Sequence, residues 1–325
     1  MLPTPAAKLA FLAAVLISAL ASAAQEPAIL RESSAVAWPV PPFPAGGNTQ
    51  CDADGNLYFR IFPSDGLLKV AHDGSKYHLY ELPAGDSDSK RYGFVEFNVT
   101  PSGDLRVLSD GSGGAYYVLL LDPDFSGSSK TKLETPEHLS LNSFAAFESG
   151  AMLVTGYFNR HADQESQGKT YTAMFEPSGK LRTLIAGHFG DVDLASVGKK
   201  LSETGATLGE DGFLYLLRSD EVVVISESGT IVRRMPFKKP SPGMPATRID
   251  VSGGLLSVEL VKEPEIGKEV KPQYLVLNAS TGERVGLYQP DPTLGNHLLC
   301  FSRSTGFAFL TMRDDKHTLV TAPLH

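Results

Sequence analysis

The residues of this sequence that are best suited to chemistry share one position in a repeated pattern. Glu96 lies seven residues before Gly103, and Asn48 and Thr247 lie seven residues before other turn glycines. His297 has the same position in the last unit, whose turn is two residues longer. A carboxylate, an amide and an imidazole could together bind one divalent ion, such as calcium, zinc or magnesium. Alternatively, Glu96 and His297 could act as base and acid on a bound substrate.

This shared position predicts a ring of side chains at one level of the structure. Its members are Asn48, Glu96, Ser143, Gly205, Thr247 and His297. All but Gly205 are polar, so we expect them to line the mouth of a channel and to contact a ligand. The simpler interpretation is that they only keep a wet channel hydrated. The sequence contains no GxSxG, HExxH or phosphate-loop spacing that would decide between the two.

Each ring position belongs to a short apolar strand, followed by a polar turn that closes on glycine and by a second apolar strand. The stretch 52-DADGNLYF-59 is the first copy, and 206-ATLGEDGFLYLL-217 is the fourth. A calcium-binding EF-hand does not fit the first copy, because the twelfth residue from Asp52 is Pro63 and not glutamate. Glycine recurs because such turns need a residue that tolerates positive φ. The turn glycines are Gly55, Gly103, Gly150, Gly212, Gly254 and Gly306.

Every unit except the last carries a second hairpin downstream, such as 224-VISESGTI-231. Four strands per unit and a repeat of about 40 to 60 residues predict an all-β fold, a six-bladed β-propeller of four-stranded blades. One segment, 191–203, is predicted to form a short helix between units. The approximate blades are 48–83, 94–135, 140–186, 204–237, 246–289 and 296–325.

The sixth unit has only three strands of its own. We expect residues 28–37 to supply the missing outer strand, because this closes the ring without an unpaired sheet edge. Cys51 and Cys300 lie on the inner strands of the first and last blades, which are neighbours in a closed ring. They could form a disulfide that stabilises the closure by about 4–5 kcal/mol in the chain-entropy model. The alternative is two buried free thiols.

The inner hairpins CDADGNLYF and GEDGFLYLL, followed by turns such as SESGT, resemble those of six-bladed propellers of the NHL-repeat and gluconolactonase-like superfamily. The resemblance covers nearly the whole mature chain. It implies the propeller fold, which serves lactonases, lyases, quinone-dependent sugar dehydrogenases and binding modules alike. The gluconolactonase-like enzymes hold one divalent metal ion in the channel, partly through a Glu near an E-G-P-x-W stretch. Here 32-ESSAVAW-38 offers Glu32 and Trp38 without the Gly-Pro.

The longer loops all emerge on one face of the predicted ring. If the strands of a blade are named a to d from the channel outward, the a–b and c–d turns are tight and glycine-closed. The b–c and d–a loops lie on the opposite side, which we name the long-loop face. We expect this face to bind a protein, peptide or glycan partner, although polar surface loops also arise at little cost. The loops are 83–93, 109–115, 156–169, 187–200, 237–245 and 261–271.

The N-terminal residues have the pattern of a signal peptide, which we assign to residues 1–24. Lys8 precedes an apolar run over 9–23, which ends in small residues and is shorter than the roughly 20 residues that span a bilayer. The mature chain, 25–325, is then expected to be a single propeller domain without a membrane span. We expect it in the periplasm or outside the cell, as a monomer.

The charge balance argues against a nucleic-acid partner. The chain has 37 acidic and 29 basic side chains, a net charge of −8, whereas nucleic-acid binding needs clustered cations. The sequence therefore predicts an exported binding or scaffolding module. The alternative is a metal-dependent hydrolase or lactonase that uses the channel mouth.

Overall fold

The computed structural model describes residues 26–38, 45–61, 66–82, 93–111, 114–121, 129–185, 205–262, 271–295 and 297–324. Of residues 45–48, only the backbone is described. The described residues form β-strands and one short 3₁₀ helix, Pro292–Leu294. The helix predicted over 191–203 lies outside them. Within the described part of the chain, no helix is long and apolar enough to cross a membrane.

The first three blades each contain four antiparallel strands that follow one another in the chain, from the channel outward. Blade one consists of β3 (Ala45–Cys51), β4 (Leu57–Ile61), β5 (Gly66–Val70) and β6 (Tyr77–Tyr80). Blade two consists of β7 (Gly93–Val99), β8 (Leu105–Asp110), β9 (Tyr116–Leu121) and β10 (Ser129–Lys132). Blade three consists of β11 (Leu139–Ala146), β12 (Met152–Phe158), β13 (Thr170–Phe175) and β14 (Leu181–Leu184).

The last three blades include the two strands from the N-terminal segment, β1 (Ala28–Leu30) and β2 (Ser34–Ala37). Blade four consists of β15 (Ala206–Leu208), β16 (Leu214–Leu217), β17 (Glu221–Ile225) and β18 (Ile231–Pro236). Blade five consists of β19 (Ala246–Ser252), β20 (Leu255–Leu260), β21 (Gln273–Asn278) and β22 (Arg284–Pro290), with β1 beside β22. Blade six consists of β23 (His297–Ser302), β24 (Gly306–Arg313) and β25 (Lys316–Ala322), with β2 outermost.

The N-terminal segment closes the ring, as the sequence predicted. Strand β2 pairs antiparallel with β25, where Val36 lies opposite Leu319. Strand β1 instead pairs in parallel with β22, where Ile29 lies opposite Gln289. Of the predicted span 28–37, residues 34–37 are therefore the outer strand of blade six, and residues 28–30 add a fifth strand to blade five.

Apolar side chains fill all six interfaces between neighbouring blades. Alternate residues of each strand point to opposite faces of its sheet, so that both faces of a blade can pack. Phe59 and Leu319 belong to the cluster between blades one and six. Tyr274 and Phe307, with ring centroids 4.8 Å apart, belong to the cluster between blades five and six. The ring is therefore closed by packing as well as by strand pairing.

A disulfide joins Cys51 of β3 to Cys300 of β23. The two Cα atoms are 5.9 Å apart, and the bond links residues that are 249 positions apart in sequence. It is a covalent link between the innermost strands of blades one and six, the first and last blades of the ring. The structure therefore contains the bonded form of the two cysteines, and not two free thiols.

Candidate functional site

The inner strands enclose a channel cavity of about 130 Å³. Four of the ring positions predicted from the sequence line it: Glu96, Ser143, Gly205 and Thr247. These four residues come from blades two to five. Residues that lie seven positions before a turn glycine are therefore close together in the folded chain. Ser143 is buried, whereas Glu96 and Thr247 are half-buried. This cavity is the candidate functional site.

The other two ring positions have different outcomes. His297 is the first residue of β23 and is half-buried. Burial, followed by the nearby charge of Arg248, lowers the pKa of His297 below its ordinary value of 6.5, so the imidazole is neutral at pH 7. Its Nε2 atom is buried without a hydrogen-bond partner among the described residues. Asn48 lies in β3, but its side chain is outside the described part of the structure.

Bulges in the inner strands change which residues face the cavity. The pairing of β11 with β12 shifts between Leu141 and Ser143, and that of β19 with β20 shifts between Ala246 and Arg248. The extra residue in the first case is Asn142, which lines the cavity beside its neighbour. A bulge redirects side chains locally and breaks strict alternation. Asn142 was missed for this reason.

Arg248 lies on the cavity wall, and its side chain donates five hydrogen bonds. Its Nε donates to Oδ2 of Asp250 at 2.8 Å, and its Nη2 donates to Oδ1 at 3.0 Å and to the carbonyl of Leu299 at 2.6 Å. Its Nη1 donates to the hydroxyl of Thr49 at 2.6 Å and to the carbonyl of Leu298 at 3.0 Å. A guanidinium has five N–H donors, and all five have a partner here. Arg248 therefore joins blades five, six and one.

The charge of Arg248 is balanced inside the protein. Burial alone would lower the pKa of Arg248, but the charge and hydrogen bonds of Asp250 and the charge of Glu259 together outweigh it, and the pKa lies above its ordinary value. Asp250 is 8 % exposed, so its carboxylate depends on this pair in place of water. The pair lies within β19, and the other donors of Arg248 bind blades one and six.

Glu259 lies beside Arg248 and Thr247 and was not identified from the sequence. It lies opposite Arg248 on β20, and its Oε2 accepts a hydrogen bond of 2.9 Å from the hydroxyl of Thr247. Burial raises the pKa of Glu259, while Arg248 and Thr247 oppose the shift. Next in the row is Tyr274, whose buried hydroxyl has no partner among the described residues. The available signal was the single charge in the apolar strand LLSVEL.

In the described part of the chain, no group of three or more His, Cys, Asp or Glu side chains is placed to hold a metal ion. The side chain of Asn48, one of the three predicted ligands, lies outside that part. Glu32, the counterpart of a metal ligand in the superfamily that the sequence resembles, instead pairs with Arg313 at the end of β24, with Nη1 3.0 Å from Oε1. The neutral hydroxyl and amide groups of the cavity are suited to hydrogen bonding.

The tight turns on the other face are tied to one another across blades. The hydroxyl of Ser102 donates to Glu148 at 2.6 Å, between blades two and three. The guanidinium of Arg303 donates to the carbonyl of Gly253 at 2.8 Å, between blades six and five. These polar groups stabilise the ring.

Only part of the long-loop face is described. Loops 156–169 and 237–245 are complete, and 109–115 lacks only 112 and 113. Loop 187–200 lies outside the described residues, as does most of 83–93 and 261–271. The site is therefore defined by its channel wall and not by its full rim.

Comparisons with known proteins identify the fold. The chain matches no protein-family model and no curated protein sequence. A solved structure of a calcium-binding protein, regucalcin, from Agrobacterium tumefaciens is 12% identical, with a TM-score of 0.54, over 92% of this chain and 98% of that one. A luciferin-regenerating enzyme is 12% identical, with a TM-score of 0.50, over 87% and 92%. At such identity the likeness shows the six-bladed propeller alone.

Proposed function

We propose that this protein is an exported binding module that holds one neutral polar group of a glycan or peptide in its channel cavity. The observation that carries the proposal is that Arg248 has no N–H donor left for a ligand. All five donors bind protein atoms of blades one, five and six, and Asp250 balances the charge. An anionic ligand would have to displace these bonds. A neutral ligand can instead use the hydroxyls of Ser143 and Thr247 and the amide of Asn142.

The size of the cavity sets the size of the group that enters it. Its volume is about 130 Å³. A cavity of about 150 Å³ admits a molecule of the size of benzene. One amino-acid side chain, or one hydroxyl-bearing edge of a sugar, therefore matches the cavity, and the rest of the ligand would lie on the long-loop face. Loops of that face are the natural place for further contacts, because loops on a rigid scaffold commonly carry binding residues.

Export is part of the proposal and has two supports. The N-terminal pattern of Lys8 followed by an apolar run is that of a signal peptide. The disulfide between Cys51 and Cys300 is the second support, because disulfides persist mainly in oxidising compartments such as the periplasm and the extracellular space. A partner in the same compartment, bound by a monomer, follows from this proposal.

A metal-dependent hydrolase is the second candidate, and Glu96 favours it. This carboxylate is half-buried on the cavity wall, where a divalent ion in the channel would meet it. The neighbour regucalcin is described as calcium-binding, which is compatible with this candidate but brings no ligand residue to this chain at 12% identity. The two candidates differ in whether the ligand leaves the cavity unchanged.

The test is to fill the cavity from Gly205. This glycine lines the cavity, and the nearest atom to an added Cβ would be Cγ2 of Ile249 at an ordinary 3.6 Å. Gly205→Phe should therefore fold and occupy the cavity, whereas Gly205→Ala should leave most of it open. Wild type and both variants are screened on arrays of neutral glycans and peptides, with thermal unfolding as the control for folding.

The proposal predicts that ligands bound by wild type are retained by Gly205→Ala and weakened at least tenfold by Gly205→Phe. Equal binding by a folded Gly205→Phe would place the ligand elsewhere and overturn the proposal.

A further inference from the structure

Two histidines lie together on the long-loop face of blade three, outside the channel cavity. His138 immediately precedes β11, and His161 lies in the loop between β12 and β13. Their ring centroids are 6.4 Å apart, with the ring planes inclined at 43°. Both side chains are exposed. The fold thus pairs two imidazoles from different connections of one blade.

One residue, Asn159, fixes the backbones of both histidines. Its backbone N–H donates to the carbonyl of His138 at 2.8 Å. Its side-chain Oδ1 accepts a hydrogen bond of 2.9 Å from the backbone N–H of His161. The relative position of the two imidazoles is therefore set by the protein, and only their side-chain torsions remain to be chosen.

The rest of the loop is also well ordered by its own hydrogen bonds. The loop is closed where the backbone N–H of Gly168 donates to the carbonyl of Phe158 at 2.9 Å. The carboxylate of Asp163 accepts from the backbone N–H groups of Glu165 and Ser166 at 3.1 and 3.0 Å. These bonds give the loop a defined shape. A defined shape lowers the entropic cost of binding at this site.

His138 has a strained backbone, with φ of +61°. Among residues other than glycine, this left-handed conformation is uncommon, although His, Asn and Asp adopt it more readily than most. Such strain costs on the order of 1–2 kcal/mol and often marks a functional position. Glycine would remove the strain but would also remove the imidazole.

The separation of the rings is close to that of two ligands of one metal ion. An imidazole nitrogen binds zinc at about 2.0–2.1 Å, so each ring centroid lies about 3 Å from the ion, and two tetrahedral ligands have centroids roughly 5 Å apart. The two rings are 6.4 Å apart, and rotation of these exposed side chains can bring them closer. We propose that His138 and His161 form a two-histidine site for a divalent transition-metal ion, zinc or copper. The remaining coordination positions are open to water or to a donor atom of a bound ligand.

The surrounding charges favour a dication. Oε2 of Glu137 lies 4.0 Å from Nε2 of His138. The carboxylate of Asp163 belongs to the same loop, two positions after His161. Both carboxylates reduce the cost of placing a positive ion between the rings. Neither is needed as a direct ligand.

The test measures metal binding to the tag-free protein after it has been stripped with a chelator. Zinc and copper are titrated separately by calorimetry, and copper also by electron paramagnetic resonance. The variants are His138→Asn, which tolerates the left-handed backbone, His161→Asn, and the exposed His72→Asn as the matched control. Thermal unfolding without metal verifies that each variant folds.

The proposal predicts one bound ion per chain, at least tenfold weaker binding in either site variant, and unchanged binding in His72→Asn. Nitrogen hyperfine splitting from two imidazoles should become that of one in each site variant. Three results would overturn the proposal: no binding to wild type, equal binding by wild type and both site variants, or a loss in His72→Asn as large as that in the site variants.

Discussion

Arg248 and Asp250 form a bidentate ion pair, with Nε 2.8 Å from Oδ2 and Nη2 3.0 Å from Oδ1. The two residues are neighbours on one face of β19, two positions apart, and both are largely buried. Because the remaining donors of Arg248 reach blades six and one, this pair connects a local charge balance to the closure of the whole ring. The first prediction follows from this connection.

Arg248→Met should strongly destabilise the protein. The change leaves the carboxylate of Asp250 buried without its partner, and breaking a buried pair in this way typically costs about 3–5 kcal/mol. Denaturant unfolding measures the loss. The matched control is Arg234→Met, because Arg234 pairs with Glu221 at 2.7 Å but is 45 % exposed. Exposed pairs contribute about 0–1 kcal/mol. Equal losses in the two variants would contradict the role given to Arg248.

Removal of the disulfide should weaken the closed ring without changing its fold. The chain-entropy model gives about 4–5 kcal/mol for a loop of this length, as an upper estimate for Cys51→Ser with Cys300→Ser. The free energy of unfolding of the double variant is compared with that of wild type with and without reductant. Reductant should destabilise wild type and leave the variant unchanged. If both unfold alike under oxidising conditions, the bond does not stabilise the closure.

Deletion of the N-terminal strands should separate their two contributions. A chain that begins at Arg31 lacks β1 alone, whereas one that begins at Trp38 also lacks β2 and leaves β25 as an open edge. Open edges invite association between molecules. We expect the shorter chain to unfold at a clearly lower denaturant concentration and to associate, as measured by light scattering. A monomeric chain of wild-type stability without β2 would refute the closure.

The half-buried His297 should make the protein less stable in acid. Because its folded-state pKa lies below 6.5, the unfolded chain binds the proton more readily as the pH falls below that value. The contribution of the neutral His297 to the free energy of unfolding is complete above about pH 6.5. It is lost as the pH falls through the folded pKa, by at most about 1.4 kcal/mol per pH unit. His297→Asn should show a shallower loss between pH 6.5 and 5 than wild type. A pH–stability curve for His297→Asn that coincides with that of wild type would contradict the assignment.

The fold could be predicted because its repeat is local. Gly55 and Gly103 adopt φ of +82° and +90° in the structure, and this requirement for positive φ is what made the turns visible in the sequence. Blade number and closure followed from counting strands. The same register placed Glu96 and Thr247 on the cavity wall.

The contacts that define the site could not be predicted from spacing alone. Thr49 and Arg248 are 199 residues apart, and their hydrogen bond exists only because blades one and five lie on either side of β23. Asn142 faces the cavity because of a bulge, which no spacing rule encodes. Glu259 belongs to the second strand of its blade, whereas the spacing from the turn glycines relates residues of the inner strands only.

The central claim is that the channel cavity binds its ligand without transforming it. The most direct measurement is the mass of an array-selected ligand after long incubation with stoichiometric protein, with calcium, magnesium or zinc added. We predict that the ligand is recovered with its mass unchanged. A hydrolysed product, formed by wild type and not by Glu96→Gln, would contradict the claim and identify the protein as a metal-dependent hydrolase.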